Sequence, residues 1–164
     1  MVIRTLTADD AERYRAFRLR GLREHPDAFR SSFEDESHKD IVTTRERLVA
    51  GNFLGAFDQD GQLVGAIGLL LEAGLKTRHI SQVIGMYVIA EHVGQGVGRS
   101  LLQALIDQAR NTDGIEQLLL TVTASNTRAK QIYESVGFEV FGVEPRAIKV
   151  GAQYFDKAHM ILFL

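Results

Sequence analysis

Three glycines, Gly94, Gly96 and Gly98, occupy alternate positions within YVIAEHVGQGVGRSLLQALI, the stretch from Tyr87 to Ile106. A β-like apolar run precedes them and a helix-like run follows. Glycine has no Cβ, so it reaches backbone conformations closed to other residues and lets another molecule approach, at an entropic cost. The first N–H groups of a helix lack partners within it, and the helix dipole favours an anion there. A strand, a glycine turn and a helix in succession therefore make a phosphate holder. A bare Gly-x-Gly-x-Gly serves as a structural turn about as readily as a binding site, so its neighbours must decide. A P-loop requires Gly-x-x-x-x-Gly-Lys-Ser/Thr, and no such lysine follows here. A dinucleotide fingerprint fits poorly too, because the segment reads Gly-Gln-Gly-Val-Gly-Arg and comes after several antiparallel-looking strands.

The elements that must position these residues are legible as periods. Val2 to Leu6 alternates like a strand, and Thr7-Ala-Asp-Asp reads as a capped helix start. From Ala11 to Leu22, the residues Ala11, Tyr14, Phe17 or Arg18, and Leu22 recur at helical spacing, while arginines at 13, 15, 18, 20 and 23 predict a solvated face. His25-Pro26 ends that helix. Phe29 to Asp40 is polar, carries Glu34, Asp35 and Glu36, and shows no readable period. Asn52 to Phe57, Leu63 to Leu71 and Ile80 to Ile89 predict an antiparallel meander, broken by Asp58-Gln-Asp-Gly61 and by Lys76 to Arg78. After the glycines, Val97, Leu101, Leu102, Leu105, Ile106 and Ala109 form a broad apolar helical stripe that Asp113-Gly114 stops. Gln117 to Val122 is β-prone, Ser125 to Val136 is helical up to Gly137, and Phe138 to Val143 and Tyr154 to Leu164 supply two last strands around Pro145. The order predicts a mixed α/β sheet with helices packed on it, in one domain spanning residues 1–164, with no linker or repeat.

Composition narrows the function. The 164 residues are 45% hydrophobic and 24% charged, and 19 Lys+Arg against 21 Asp+Glu leave a net charge of -2. Nothing global draws the chain to nucleic acid or an anionic membrane. The absence of cysteine excludes disulfides, thiolate catalysis and zinc–cysteine sites, and is compatible with a reducing compartment. The start, MVIRTLTADD, is not signal-like, and no run reaches the roughly 20 apolar residues that span a bilayer. The expectation is a soluble cytoplasmic protein without a metal site.

With those elements in place, MYVIAEHVGQGVGRSLLQAL resembles the coenzyme-binding motif of the GNAT superfamily of acetyl-CoA-dependent N-acetyltransferases, Arg/Gln-x-x-Gly-x-Gly/Ala, with Gly96 and Gly98 as its last glycines. Downstream, ASNTRAKQIYESVGFEVFG is similar to the next motif of that superfamily through Asn126, Tyr133 and Gly137-Phe138. The two motifs stand in the family's order and spacing, and the resemblance covers nearly the whole chain. It departs at Val93, where the family commonly carries Arg or Gln. The resemblance implies a central mixed, mostly antiparallel sheet of about seven strands flanked by helices, with a splayed strand pair holding acyl-CoA. Pyrophosphate binding then falls to the backbone N–H groups of Val93, Gly94, Gln95, Gly96, Val97 and Gly98, with Arg99 or Ser100 assisting. Met86, Tyr87 and Val88 would offer backbone groups to the pantetheine arm, and Gly85 would mark the bulge that opens the gap. A free N–H there would stabilise the oxyanion of acyl transfer.

By the same resemblance Tyr133 is the acid for the departing thiolate. Asn126 holds the pantetheine amide or a water, or only caps its helix. The strand Ile80 to Ile89 contains no acid, which makes Glu72 the first candidate base, with His79 and Glu34 to Glu36 behind it. The acceptor pocket is expected from Phe29 to Phe33 and from Arg146 to Tyr154, where Arg146, Lys149, Tyr154 and Asp156 could orient an amine of a small molecule or a protein. The apolar end MILFL is either a core strand or the edge of a homodimer, which the resemblance favours. The competing readings are a CoA-binding sensor or interaction module without transfer activity and, more remotely, a nicotinamide-binding oxidoreductase.

Overall fold

In a computed structural model describing residues 1–164, seven strands form one sheet in the order β1-β2-β3-β4-β5-β7-β6. They are β1 (Val2–Thr5), β2 (Phe53–Phe57), β3 (Leu63–Leu71), β4 (Ile80–Val88), β5 (Gln117–Thr123), β6 (Glu139–Val150) and β7 (Gln153–Phe163). Five helices accompany them: α1 (Ala11–Glu24), α2 (Phe33–Ser37), α3 (Ile41–Val49), α4 (Val97–Arg110) and α5 (Thr127–Glu134). All neighbouring strands run antiparallel except β4 and β5. The expected mixed, mostly antiparallel sheet is what the chain forms.

Side-chain alternation along β4 puts helices on both faces. A Cβ on Gly21 of α1 would press on the Tyr87 ring, whereas one on Gly98 of α4 would meet Val88. Consecutive residues of β4 thus face α1 and α4, which cover opposite sides of the sheet. The apolar stripe of α4 is buried at Val97, Leu101, Leu102, Leu105, Ile106 and Ala109. Strand β2 is buried at all five positions, as a strand packed on both faces must be.

The N-terminal strand is tied to α1 by Asp10, only 4% exposed. Its carboxylate accepts two bonds from Arg4, at 2.7 and 2.8 Å, and one from the Thr7 N–H at 2.9 Å. The bonds from Arg4 hold its pKa down to about 2, against 3.8 for a free side chain. A carboxylate depressed by folding contributes stability above its unfolded pKa and loses it as pH falls toward the folded one. Asp10→Ala is therefore expected to cost about 2 kcal/mol at pH 7. Thermal melts across pH should find that the gap from the parent narrows as pH drops from about 4 to 2.

Three segments differ from the sequence expectation. Helix α3 went unread because only Leu48 of its nine residues is buried, so the stretch has hardly any apolar period; its one signal is Asp40, whose side chain accepts from the Val42 N–H at 2.8 Å. Strand β6 runs through Pro145 to Val150, since the register shifts between Glu144 and Ile148 and a proline is tolerated at a bulge. Helix α5 starts at Thr127, two residues later than expected, with Asn126 as its cap, one of the roles its sequence position allows.

Candidate functional site

Strands β4 and β5 are hydrogen-bonded neighbours only at Ile80, Ser81 and Gln82, opposite Gln117, Leu118 and Leu119. Beyond those pairs they part. The register between β3 and β4 slips between Ala66 and Gly68, opposite Gly85, whose φ of +64° is a left-handed conformation that glycine takes without a Cβ penalty. The expected bulge is therefore at Gly85. The parted strands wall a cleft of about 810 Å³ that reaches from Tyr133 of α5, past Gly85 and Met86, to Tyr14 and Arg18 of α1.

Just beyond β4, the glycine loop divides its work unevenly. Gly94 and Gly96 have φ of +91° and +81°, and the space where a Cβ of Gly96 would project is open. Gly98 is different: a Cβ there would lie 3.1 Å from Met86 Cε, so its smallness lets α4 settle on β4. The Val93 and Gln95 N–H groups donate to the Ala90 and His92 carbonyls at 3.2 and 3.4 Å, and that of Ser100 donates to Gly96 at 3.0 Å. The N–H groups of Gly94, Gly96, Val97, Gly98 and Arg99 have no carbonyl partner. They form the start of α4, where an anion is favoured. A Cβ on Gly94 would lie 3.4 Å from Arg128 Nη2, so this guanidinium of α5 hangs over the loop. It places a cation beside a loop where Val93 offers none, and no local pattern reveals it because α5 and the loop are far apart in the chain.

Tyr133 is 8% exposed, its ring set edge-on to Phe138 with centroids 6.0 Å apart. Burial pushes its pKa above the usual phenol range, so the group stays protonated in the cleft. Its hydroxyl has no hydrogen-bond partner within the chain, while the cap of α5 uses Asn126: its side-chain oxygen accepts from the Ala129 N–H at 3.0 Å, which leaves the amide NH2 free beside the cleft. Tyr87 turns toward α1 and donates to Glu24 Oε2 at 2.7 Å, so only its backbone is available to a ligand.

On the α1 face the loop after that helix is clasped to the sheet by Lys157, 1% exposed. Its ammonium donates to the carbonyls of Asp27 and Ala28 at 3.3 and 2.7 Å and to Thr123 Oγ1 at 2.9 Å. Burial pushes its pKa down to about 8. Beside it, His159 Nε2 lies 3.0 Å from Glu144 Oε2, and Arg30 pairs with the same carboxylate. Arg18 overturns the solvated-face expectation: its Nε and Nη1 are buried without a partner, and Cζ sits 4.4 Å above the Phe29 ring. Tyr14 and Arg18 both line the cleft from α1, and Phe29 of the following loop stacks against Arg18.

Residues 18–138 match the model of the Acetyltransferase (GNAT) family. The chain belongs to that family. Among curated GNAT relatives and other acetyltransferases, it is 25% identical over 101 residues to the L-amino acid N-acetyltransferase AaaT of Escherichia coli (strain K12), covering 62% of each chain. It is 30% identical over 137 residues to a mycothiol acetyltransferase of Thermobispora bispora, covering 82% of this chain and 45% of that one. The chain thus spans less than two thirds of the length of these curated relatives. A GNAT-family acetyltransferase from Streptococcus pneumoniae has the same fold, with a TM-score of 0.91, 23% identity and 99% of both chains covered. A GNAT phosphinothricin acetyltransferase from Sinorhizobium meliloti, solved with acetyl-CoA, superposes with a TM-score of 0.83 at 17% identity, over 99% of this chain and 88% of that one.

Measured against this GNAT fold, two sequence expectations about the chemistry need correcting. Glu72 follows the last residue of β3 and accepts from Gln82 Nε2 at 3.2 Å; Gln82 lines the cleft but Glu72 does not. From the last strands it is Phe141, Lys157 and His159 that line the cleft, whereas none of Arg146 to Tyr154 does. The tip between β6 and β7 extends away from the cleft, with Arg146 and Lys149 stacked on Tyr154. Phe29 does line the cleft, as expected, together with Ala28, Arg30 and Ser31.

Proposed function

We propose that this chain moves the acetyl group of acetyl-CoA to a primary amine, with both substrates bound at once. The observation that carries the reading is the unpartnered, protonated Tyr133 phenol beside the gap between β4 and β5. The site also suits the donor. Five free N–H groups, two glycines of positive φ and the adjoining Arg128 have the chemistry of a pyrophosphate cradle. Acetyl-CoA supplies an activated acyl group when bound. The unpaired edge of β4 at Met86, Tyr87 and Val88 would hold its pantetheine arm, with the Asn126 amide assisting.

In the transfer the amine nitrogen bonds to the carbonyl carbon, the carbon–sulfur bond breaks, and the thiolate takes the Tyr133 proton. The amine's proton goes to His159, the one imidazole lining a cleft that no Asp or Glu lines. Glu144 orients that ring through Nε2. His159→Gln is expected to lower kcat/KM about tenfold or more at pH 7. The deficit should shrink above the amine's own pKa, where solvent has already removed the proton; a deficit constant with pH would remove His159 from this role.

The test is calorimetric titration with acetyl-CoA followed by a thiol-release assay over a panel of amines. Saturable binding with release supports the proposal. The absence of a carboxylate base favours a second reading, a CoA-binding sensor of the same fold, which predicts binding with no release for any amine.

A further inference from the structure

The acceptor face holds a charge that the fold leaves unsatisfied. Arg18 makes no hydrogen bond to any part of the chain, and its Nε and Nη1 are sealed from solvent. A buried polar atom without a partner is costly and rare, and two on one half-buried guanidinium ask what normally pairs with it. Desolvation lowers its pKa from the usual arginine value, and the opposing charges of Tyr14 and Glu36 offset this only in part. The nearest carboxylate, Glu36, contributes only at a distance and is bonded to Lys39 at 2.8 Å.

The neighbouring cations do not share this vacancy. Arg30 is paired with Glu144, and the Lys157 ammonium spends its donors on Asp27, Ala28 and Thr123. Arg47 of α3 lines the same cleft and lies beside the Tyr14 hydroxyl, so Arg18 and Arg47 are the cations on this face without a carboxylate salt bridge. The CoA phosphates are not their partner in this arrangement, because the glycine cradle opens from α4 on the opposite face of the sheet.

Position completes the case. Tyr14 and Arg18 stand one helical turn apart, with roughly 5–6 Å between such side-chain bases. A Cβ placed on Gly85 would come within 3.8 Å of the Tyr14 hydroxyl, and Tyr14, Arg18 and Gly85 line the same cleft.

Resting on the proposed transfer at that bulge, we infer that the acceptor is a small amine with a carboxylate close to the amino group, and that Arg18, with Arg47 beside it, binds that carboxylate. The class is that of the free α-amino acids. Amine and carboxylate are then held at opposite ends of one short molecule, the amine toward Gly85 and the carboxylate on α1. An arginine–carboxylate pair is a charge-assisted contact, so its loss should cost about 10- to 100-fold in acceptor affinity.

The experiment pairs each of a set of L-amino acids with the amine left by removing its carboxyl group, for example L-phenylalanine with phenethylamine and L-leucine with isoamylamine. Both kinds are titrated calorimetrically into CoA-loaded protein and assayed by thiol release with acetyl-CoA. The expected result is tighter binding and at least about tenfold higher kcat/KM for at least one amino acid over its partner. Arg18→Gln should erase that preference through KM while the KM for acetyl-CoA holds, and Arg18→Lys should restore part of it. The unliganded Arg18→Met protein should melt at or above the parent temperature, since an orphan charge has been removed. Turnover of neutral amines without preference for their carboxylated partners overturns the inference and leaves the transfer reading intact. Selective amino-acid binding without thiol release keeps the carboxylate site and overturns transfer. Neither binding nor release for any pair overturns both.

Discussion

Tyr133→Phe should lower kcat by roughly two to three orders of magnitude while leaving the acetyl-CoA Kd and the melting temperature close to those of the parent, the range expected when one positioned proton donor is lost. The separation of the two effects follows from the packing. The hydroxyl makes no bond to the chain, so its removal breaks nothing internal, and the ring keeps its edge-on contact with Phe138. What disappears is the phenolic proton that α5 holds beside the β4–β5 gap. Because burial raises the pKa of this phenol, the parent's activity should not show a basic limb from Tyr133 in the neutral range. Stopped-time thiol-release assays on both proteins, with calorimetry for the Kd, measure each part. An unchanged kcat, or a fall in kcat matched by a collapse in melting temperature, would remove Tyr133 from the chemistry.

How far such a site can be read from sequence depends on whether its residues are local to one element. The α4 stripe and the glycines ahead of it lie within one continuous stretch, and both their periodicity and their bond to a strand survive into the structure. Gly85 was legible through the family resemblance, in keeping with the way a lone glycine in a strand marks a bulge. Arg18 was not legible. On the helix it sits in a row of arginines that looks uniformly solvated, and only the loop bearing Phe29, folded back over α1, distinguishes it from Arg15 or Arg23. Arg128 and His159 were missed likewise: each reaches its site across elements, one over the glycine loop and one from β7. Glu72 misled because strand order locates a residue along β3 without saying where β4 and β5 part. Local periodicity specifies the scaffold, while the charges that tune the site are set by which elements meet.

The glycine loop permits a test in which strain and binding are separated by design. Gly96 and Gly114 both adopt left-handed φ, +81° and +86°, and neither would meet another atom within 4 Å if given a Cβ. A valine at either position pays the same kind of backbone penalty, about 1–2 kcal/mol, so Gly96→Val and Gly114→Val should lose similar amounts of thermal stability. Only one of them should lose the ligand. Gly114 lies in the turn between α4 and β5, at the far end of α4, whereas Gly96 caps the helix start from which the free N–H groups of Val97, Gly98 and Arg99 project. A branched side chain there displaces those donors from the anion. Hydrogen bonds to a charged group contribute about 1.5–3 kcal/mol each, so losing two raises the acetyl-CoA Kd by at least about a hundredfold. Arg128→Gln, which leaves the backbone cradle in place, should weaken binding by only about tenfold. If Gly96→Val and Gly114→Val destabilise alike and bind acetyl-CoA alike, the left-handed glycine serves the turn alone. A hundredfold gap in Kd between two proteins of equal melting temperature can come only from the start of α4, because strain has been matched on both sides of the comparison.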